Sequence, residues 1–447
     1  MGKLFGTDGI RGVAGAELDC ALAMKTGAAA VKTVREVSGK DKPTFLVGKD
    51  SRLSSDMLEA AICAGVCESG ANVIRLGLVP TPAVAYLTVQ LGADAGIMIS
   101  ASHNPYEYNG IKIFGGEGYK LTDEQEEEIE KIIEEGNFEK KSGEGVGWVR
   151  FDEKAIEKYE KHIMSAAETL AGMKIALDAS NGSASRSAKA IFEGLGAECK
   201  IIGNAPNGMN INDGVGSTHI ENLKSVMKSG KYDVGFAFDG DADRCIAVDE
   251  KGEEVDGDAE MAIVALKLRD EGRLAEGALV ATVMSNMGLR KFAKENGILL
   301  EETGVGDRYV LERMREKGYS LGGEQSGHII VLDYMTTGDG QLSAVLIADR
   351  LKKTGMKMSQ AAAVMKKYPQ RLKNITANAE EKARFKTDAE IEKIVEKYTA
   401  EIGDGRILVR ASGTEPLIRI MAEGAEIEKV DAIVDACAAE IEVRIKR

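Results

Sequence analysis

The chain has 447 residues, 44% of them apolar, which at roughly 150 residues per domain suggests about three units with cores of their own. Lys plus Arg is 58 and Asp plus Glu is 72, a formal net charge of −14. That balance argues against general nucleic-acid binding, which needs clustered positive charge, yet leaves room for a locally basic pocket that takes anionic metabolites.

The opening residues hold no long apolar stretch, so no signal peptide is expected, and no run of about 18 apolar residues suggests a membrane span. Cys20, Cys63, Cys67, Cys199, Cys245 and Cys437 are scattered and contain no C-x-x-C pair. A disulfide scaffold is therefore not expected, and a reducing, cytoplasmic setting is. Cys63 and Cys67 share one helix face and read as small buried residues.

From the N-terminus, "TFLVGKD" (44–50) reads as a strand, "SSDMLEAAICAGVCESG" (54–70) as a helix, and "NVIRLGLV" (72–79) as the next strand, ended by Pro80. Alternation of this kind predicts parallel α/β units. An apolar run, Gly96–Ile99, stops at a polar loop, Ser100–Pro105, before a second apolar run, 111–114. Thr122 and Gln125 form a capping-box pattern that opens an acidic helix to about Glu135. The Gly- and charge-rich stretch 136–148 reads as a linker.

A second α/β block follows: "KIALDAS" (174–180), a helix over 183–194, and "KYDVGFAFDGDADRCIAVDEKGEEV" (231–255). A third contains "ALVATVMS" (278–285), a helix over 287–296, 301–318, and "YSLGGEQSGHII" (319–330). Beyond Pro369 the pattern changes to a smaller α+β domain, with a helix near 388–402, a hairpin over 406–424 and a last helix to about Val443. No G-x-x-x-x-G-K-[ST] and no G-x-G-x-x-G between a strand and a helix occurs, so neither ATP nor NAD is implied.

Four loops carry chemistry. "DGDADR" places Asp239, Asp241 and Asp243 within five residues. Two carboxylates ~5 Å apart repel by roughly 3 kcal/mol at a dielectric near 20, so a converging trio needs a cation or must splay. Hard oxygen ligands with coordination positions left open suit Mg2+. An EF-hand is the competing reading, but Arg244 stands where its turn needs Gly, and the flanks look like strands. "RASGTEPLIR" (410–419) offers Arg410 and Arg419 as forked cations, Ser412 and Thr414 as hydroxyls, and Gly413 for close backbone approach to an anion. "GGEQSGH" (322–328) spaces Glu324, Ser326 and His328 by two, which on an extended segment faces one side and suits a polyhydroxylated ligand. In the loop 100–105, neighbours on a strand point oppositely, so His103 is badly placed to deprotonate Ser102, and no G-x-S-x-G elbow exists. A serine that carries a phosphate needs no resident base. It needs a cation, and an anion site for the substrate's own phosphate.

These four motifs, in this order and at these intervals, resemble the α-D-phosphohexomutase family over essentially the whole chain. The resemblance implies three related α/β domains with mixed sheets plus a smaller C-terminal α+β domain around a central cleft, with limits 1–150, 151–254, 255–366 and 367–447. It implies phosphoserine at Ser102 and Mg2+, one per chain, on Asp239, Asp241, Asp243 and a phosphoserine oxygen. Sugar contacts fall to Glu324, Ser326 and His328, and a phosphate cradle to Arg410, Ser412, Gly413, Thr414 and Arg419. His103, Lys112, Arg11 and Arg244 line the reacting centre, with Lys112 and His103 as acid–base candidates. Ala411 stands where the family usually has proline, with no ligand atom lost.

Three details resemble the family's amino-sugar branch: "FGTDGIRG" (5–12), "GSTH" (216–219) and Gln325. They imply interconversion of glucosamine 6-phosphate and glucosamine 1-phosphate through a 1,6-bisphosphate, feeding UDP-N-acetylglucosamine and peptidoglycan. A glucosamine or glucose 1,6-bisphosphate would serve as activator. The partner would be a small hexosamine phosphate, with neither nucleic acid nor membrane involved and a homodimer left open. The rivals are a glucose- or mannose-phosphate mutase of the same family, a sugar-phosphate-binding protein without chemistry, and a Mg2+-dependent phosphatase with Asp239 as nucleophile.

Overall fold

Strands buried on both faces read as unbroken apolar runs. Ala95–Ile99, Val234–Phe238 and Ala278–Thr282 are buried at every residue. In the computed structural model, which describes residues 4–6, 8–412 and 416–446, each of these runs lies inside a separate sheet. The chain divides into two compact units, Met1–Val283 with Leu299–Val364, and Met284–Ile298 with Met365–Arg447.

Among the described residues, the first unit holds three mixed sheets. The first has seven strands, in the order Phe5–Gly6, Gly9–Val13, Tyr108–Gly115, Ala95–Ile99, Thr44–Lys49, Asn72–Leu78, Val149–Phe151. The second has five and the third four. All three repeat one device. A parallel strand ends in a loop, and the chain returns antiparallel beside it. Ala95–Ile99 returns as Tyr108–Gly115 with Ile99 opposite Ile111. Val234–Phe238 returns as Cys245–Val248 with Phe238 opposite Cys245. Leu321–Gly323 returns as Ile329–Val331 with Gly323 opposite Ile329. The three motif loops of this unit therefore occupy the same topological position in related sheets.

Helices Cys20–Ser38 and Ser55–Glu68 pack so closely that a side-chain carbon at Gly65 would lie 2.0 Å from the carbonyl oxygen of Met24. Cys63 and Cys67 sit in the same core as Leu58, Ile62 and Val66. The capping box at Thr122 and Gln125 forms as its spacing predicts, at the head of Asp123–Glu135. The stretch read as a linker is tied down: the Val73 N–H donates to Trp148 O (2.8 Å), and Val149–Phe151 joins the first sheet beside Asn72–Leu78. Its polar composition reflects its place at an exposed edge.

In the second unit, three antiparallel strands run in the order Gln370–Thr376, Leu417–Gly424, Gly405–Ala411. Helices Ala389–Ile402 and Ile427–Ile445 share a core with them that includes Ile394, Ile418, Ile420, Val430 and Ile441. This is the smaller α+β domain expected from the sequence. No helix among the described residues is long and apolar enough to cross a membrane.

Candidate active site

Where Ala95–Ile99 runs out, the loop bends sharply. Ser102 is 1% exposed and takes φ 53, a left-handed conformation uncommon for a residue with a side chain. Its Oγ donates to Asp239 Oδ2 at 2.6 Å, joining the first sheet's loop to the second's. The acidic loop makes a similar bend at Ala242, φ 57, which gathers its side chains on one side.

Asp239, Asp241 and Asp243 are all buried, and one ligand oxygen from each lies within 4.8 Å of the others. Burial, then Asp243 and Asp241, pushes the Asp239 carboxyl well above the ordinary range. Asp241 Oδ1 and Asp243 Oδ1 are buried and have no hydrogen-bond partner among the described residues. Two orphaned carboxylate oxygens in a buried trio fit a hard divalent cation, with Ser102 Oγ as its neighbour.

Asp241 Oδ2 and Asp243 Oδ2 are contacted by residues on or next to strands of the first sheet. Thr81 Oγ1 donates to Asp241 Oδ2 (2.6 Å), and the Thr81 N–H donates to Asp241 O (2.9 Å). Lys112 Nζ lies 2.9 Å from Asp241 Oδ2, 3.4 Å from Asp243 Oδ2 and 2.9 Å from Asp8 Oδ2. Burial alone would lower the pKa of Lys112, but Asp241, Asp8 and Asp243 raise it well above the ordinary value. The lysine expected as an acid–base candidate is thus held as a cation.

The expectation that His103 and Ser102 point apart is corrected. The loop is not a strand at this point, so His103 and Ser102 do not point apart, and Ser102 Oγ lies 3.4 Å from His103 Nδ1. Burial, then Arg244 and Arg11, lowers this imidazole to about 4 and keeps it neutral at pH 7. Arg244 Nη1 donates to the same Nδ1 at 3.3 Å. Arg11, on Gly9–Val13, pairs with Asp8.

In the third loop, Glu324–Gly327 is a tight turn, with the Gly327 N–H on Glu324 O at 3.0 Å. The turn breaks the extended spacing from which a shared face was expected, and the three side chains differ in burial. Glu324 and Ser326 are partly exposed, and Ser326 Oγ has no hydrogen-bond partner among the described residues. His328 is buried instead, its Nδ1 3.7 Å from Asp243 Oδ2 and its Nε2 3.6 Å from Asp307 Oδ2. Nε2 accepts the Gly338 N–H (3.2 Å), which leaves the proton on Nδ1, toward Asp243.

In the second unit, Arg410 and Arg419 stand directly opposite on neighbouring strands. Like charges so placed repel, and burial, then Arg419, lowers the pKa of Arg410. Arg410 Nε is buried and has no hydrogen-bond partner among the described residues. An anion between two such guanidiniums would relieve both penalties. Ser412 N–H donates to Leu417 O at 2.8 Å. Gly413 and Thr414 lie outside the described residues.

Sequence reasoning missed Asp8, Thr81, Lys120 and Asp307. Lys120 Nζ bonds Asp8 Oδ1 and, at 2.7 Å, Asp307 Oδ2. Asp8 lies within "FGTDGIRG" (5–12), but its lysine partners, 104 and 112 residues away, are set by folding alone.

The phosphoglucomutase/phosphomannomutase family patterns match along the chain: alpha/beta/alpha domain I over residues 2–140, domain II over 155–252, domain III over 256–368, and the C-terminal domain over 353–440. The chain belongs to this phosphohexomutase family. A phosphoglucosamine mutase of Ruminiclostridium cellulolyticum is 50% identical over 430 residues, 95% of this chain and 96% of the relative. One of Caldicellulosiruptor saccharolyticus is 49% identical over 456 residues, 100% of each chain. A phosphoglucomutase/phosphomannomutase family protein of Burkholderia thailandensis shares the fold, with a TM-score of 0.85, 24% identity, and 99% and 97% of the two chains covered.

Proposed function

We propose that this enzyme interconverts glucosamine 6-phosphate and glucosamine 1-phosphate through a phosphoserine at residue 102. The contact of 2.6 Å between Ser102 Oγ and Asp239, inside a trio with two orphaned oxygens, carries the reading. The near-50% identity to phosphoglucosamine mutases over the whole chain supports glucosamine over glucose or mannose as the sugar.

Phospho-Ser102 gives its phosphoryl group to the free hydroxyl of the sugar phosphate. The 1,6-bisphosphate turns end for end, and Ser102 recovers a phosphoryl group from the opposite end. A Mg2+ ion on Asp239, Asp241, Asp243 and the phosphoserine would neutralise charge on the group in transit. Lys112, Arg11 and Arg244 add positive charge around it. His103, neutral at pH 7, is assigned the hydroxyl proton. Glu324 and Ser326 bind sugar hydroxyls, and His328 steadies Asp243. Arg410, Ser412, Gly413, Thr414 and Arg419 hold the phosphate that is not transferred.

The domain limits are set at 1–150, 151–254, 255–366 and 367–447; the family matches over 2–140 and 155–252 fall inside the first two, and those over 256–368 and 353–440 overlap across the last boundary. Six unpaired cysteines support a reducing cytoplasm, where the product would feed UDP-N-acetylglucosamine and cell-wall synthesis. A hexosamine phosphate is the partner, and a glucosamine or glucose 1,6-bisphosphate the activator.

The test supplies glucosamine 6-phosphate, Mg2+ and a trace of bisphosphate, and looks for the 1-phosphate. Ser102→Ala is expected to abolish turnover, and active protein to carry about 80 Da on Ser102. Near-normal turnover by Ser102→Ala removes serine-based transfer. Higher kcat/KM on glucose or mannose phosphates reassigns the substrate.

A further inference from the structure

Four carbonyl groups of the Ser102 loop and the start of the strand that follows it converge on one guanidinium. Arg52 lies between strand Thr44–Lys49 and helix Ser55–Glu68, and its side chain is 0% exposed. Nη2 donates to Ser102 O (2.9 Å) and Asn104 O (2.8 Å), and Nη1 donates to Tyr108 O (3.0 Å) and to Pro105 O. Nε donates to Asp50 Oδ2 at 2.8 Å. All five N–H donors of the fork are in use, three of them on the loop that carries Ser102 and one on the first residue of the strand that follows it.

Asp50 is equally committed. Oδ1 accepts the Arg52 N–H (3.0 Å) and Ser55 Oγ (2.9 Å), while Oδ2 also accepts Ser100 Oγ (2.6 Å). Ser100 Oγ in turn accepts the Ser102 N–H at 3.0 Å. Both the N–H and the carbonyl of Ser102 therefore lead back to one buried ion pair. From the second sheet's side, Asn212 Nδ2 donates to Ser102 O (2.9 Å) and Asn104 O (3.1 Å). A left-handed φ of 53 at a serine persists only where its surroundings over-determine it, and this network supplies the surroundings.

We propose that Arg52, backed by Asp50, is a positioning residue for phosphoryl transfer. It locks Ser102 in the conformation that aims Oγ at Asp239, and it does so without reaching substrate. Lysine cannot substitute, because three donors on a single ammonium cannot span four carbonyls and a carboxylate. The inference rests on Ser102 as the phosphoryl carrier.

The experiment begins with the mass-mapped wild-type enzyme. Phosphate found on a residue other than Ser102 overturns both the carrier reading and this inference. With phosphate on Ser102, full-length Arg52→Lys is phosphorylated and compared with wild type in single-turnover transfer of labelled phosphoryl to glucosamine 6-phosphate. KM and melting curves are taken alongside. A misplaced reacting atom slows transfer by about a hundredfold with KM held within about threefold. A role in stability alone would lower the melting temperature and leave the rate per folded molecule within that threefold, which overturns the proposal, as does a loss confined to KM. Should Arg52→Lys not fold, Asn212→Ala removes the second donor on both Ser102 O and Asn104 O and leaves the Arg52 fork in place. Transfer slowed by about tenfold supports the lock, and an unchanged rate overturns it.

Discussion

Replacing Lys112 by methionine tests the electrostatics of the site. Lys112 is 1% exposed, and its Nζ lies 2.9, 2.9 and 3.4 Å from carboxylates of Asp8, Asp241 and Asp243. At an effective dielectric near 20, such pairs attract by about 6, 6 and 5 kcal/mol. Burying the charges offsets most of that gross attraction. What Lys112→Met exposes is the cost of carboxylates left buried without a cation, about 3–5 kcal/mol.

The assay is urea unfolding at pH 7 in chelator, followed by Trp148, the sole tryptophan, which belongs to the same compact unit. The sign with pH follows from the shifts. The raised pKa of Lys112 makes its contribution whole below 10.5, fading only as pH rises through the folded value. Asp8 and Asp243 are held low, so their contributions are present above about 4 and lost as pH falls through their folded values. In the variant these carboxyls take up protons more readily, so the deficit narrows toward pH 5. Mg2+ should restore more stability to the variant than to wild type. A variant within about 1 kcal/mol of wild type at pH 7, the worth of an exposed pair, would refute the reasoning.

Thr81→Val removes the hydroxyl on Asp241 Oδ2 at nearly constant volume, and Mg2+ affinity by calorimetry should fall 10–100-fold. An unchanged affinity would show that the carboxylate needs no such support. Gly65→Ala should destabilise by about 1–3 kcal/mol, despite alanine's better helix propensity, because its Cβ would meet the Met24 carbonyl. A stabilised variant would contradict the close helix crossing. Burial pushes the Asp339 carboxyl up to about 7, so between about 4 and 7 the folded protein keeps a proton that the unfolded chain releases. Wild-type stability should therefore fall across that window relative to Asp339→Asn, by up to roughly 4 kcal/mol. Parallel pH curves for the two proteins would count against it.

Much of the architecture was legible because the local signals were strong. The unbroken apolar runs at 95–99 and 234–238 could only be interior strands, and the Thr122–Gln125 spacing fixes a helix start by its own hydrogen bonds. The acidic trio and the arginine pair were legible as charges that need a counter-ion. The strand Val149–Phe151 was not, because its residues are all exposed and carry no periodicity. Nor was the place of His103. Strand alternation assigns neighbours to opposite faces only where the backbone stays extended, and φ 53 at Ser102 ends that.

The amino-acid sequence by itself determined the inventory: a serine, three aspartates, a lysine and forked cations in loops that follow apolar strands. Those choices depend on residue type and short spacing, which the chain carries locally. Only the tertiary structure decided that Lys112 would be a clamped cation, that His328 would turn to Asp243, and that Arg52 would hold the Ser102 loop. Each depends on partners 50 or more residues away, brought together when three related sheets set their loops side by side. Burial then makes those contacts strong, since a charge removed from water must find its partner within the protein.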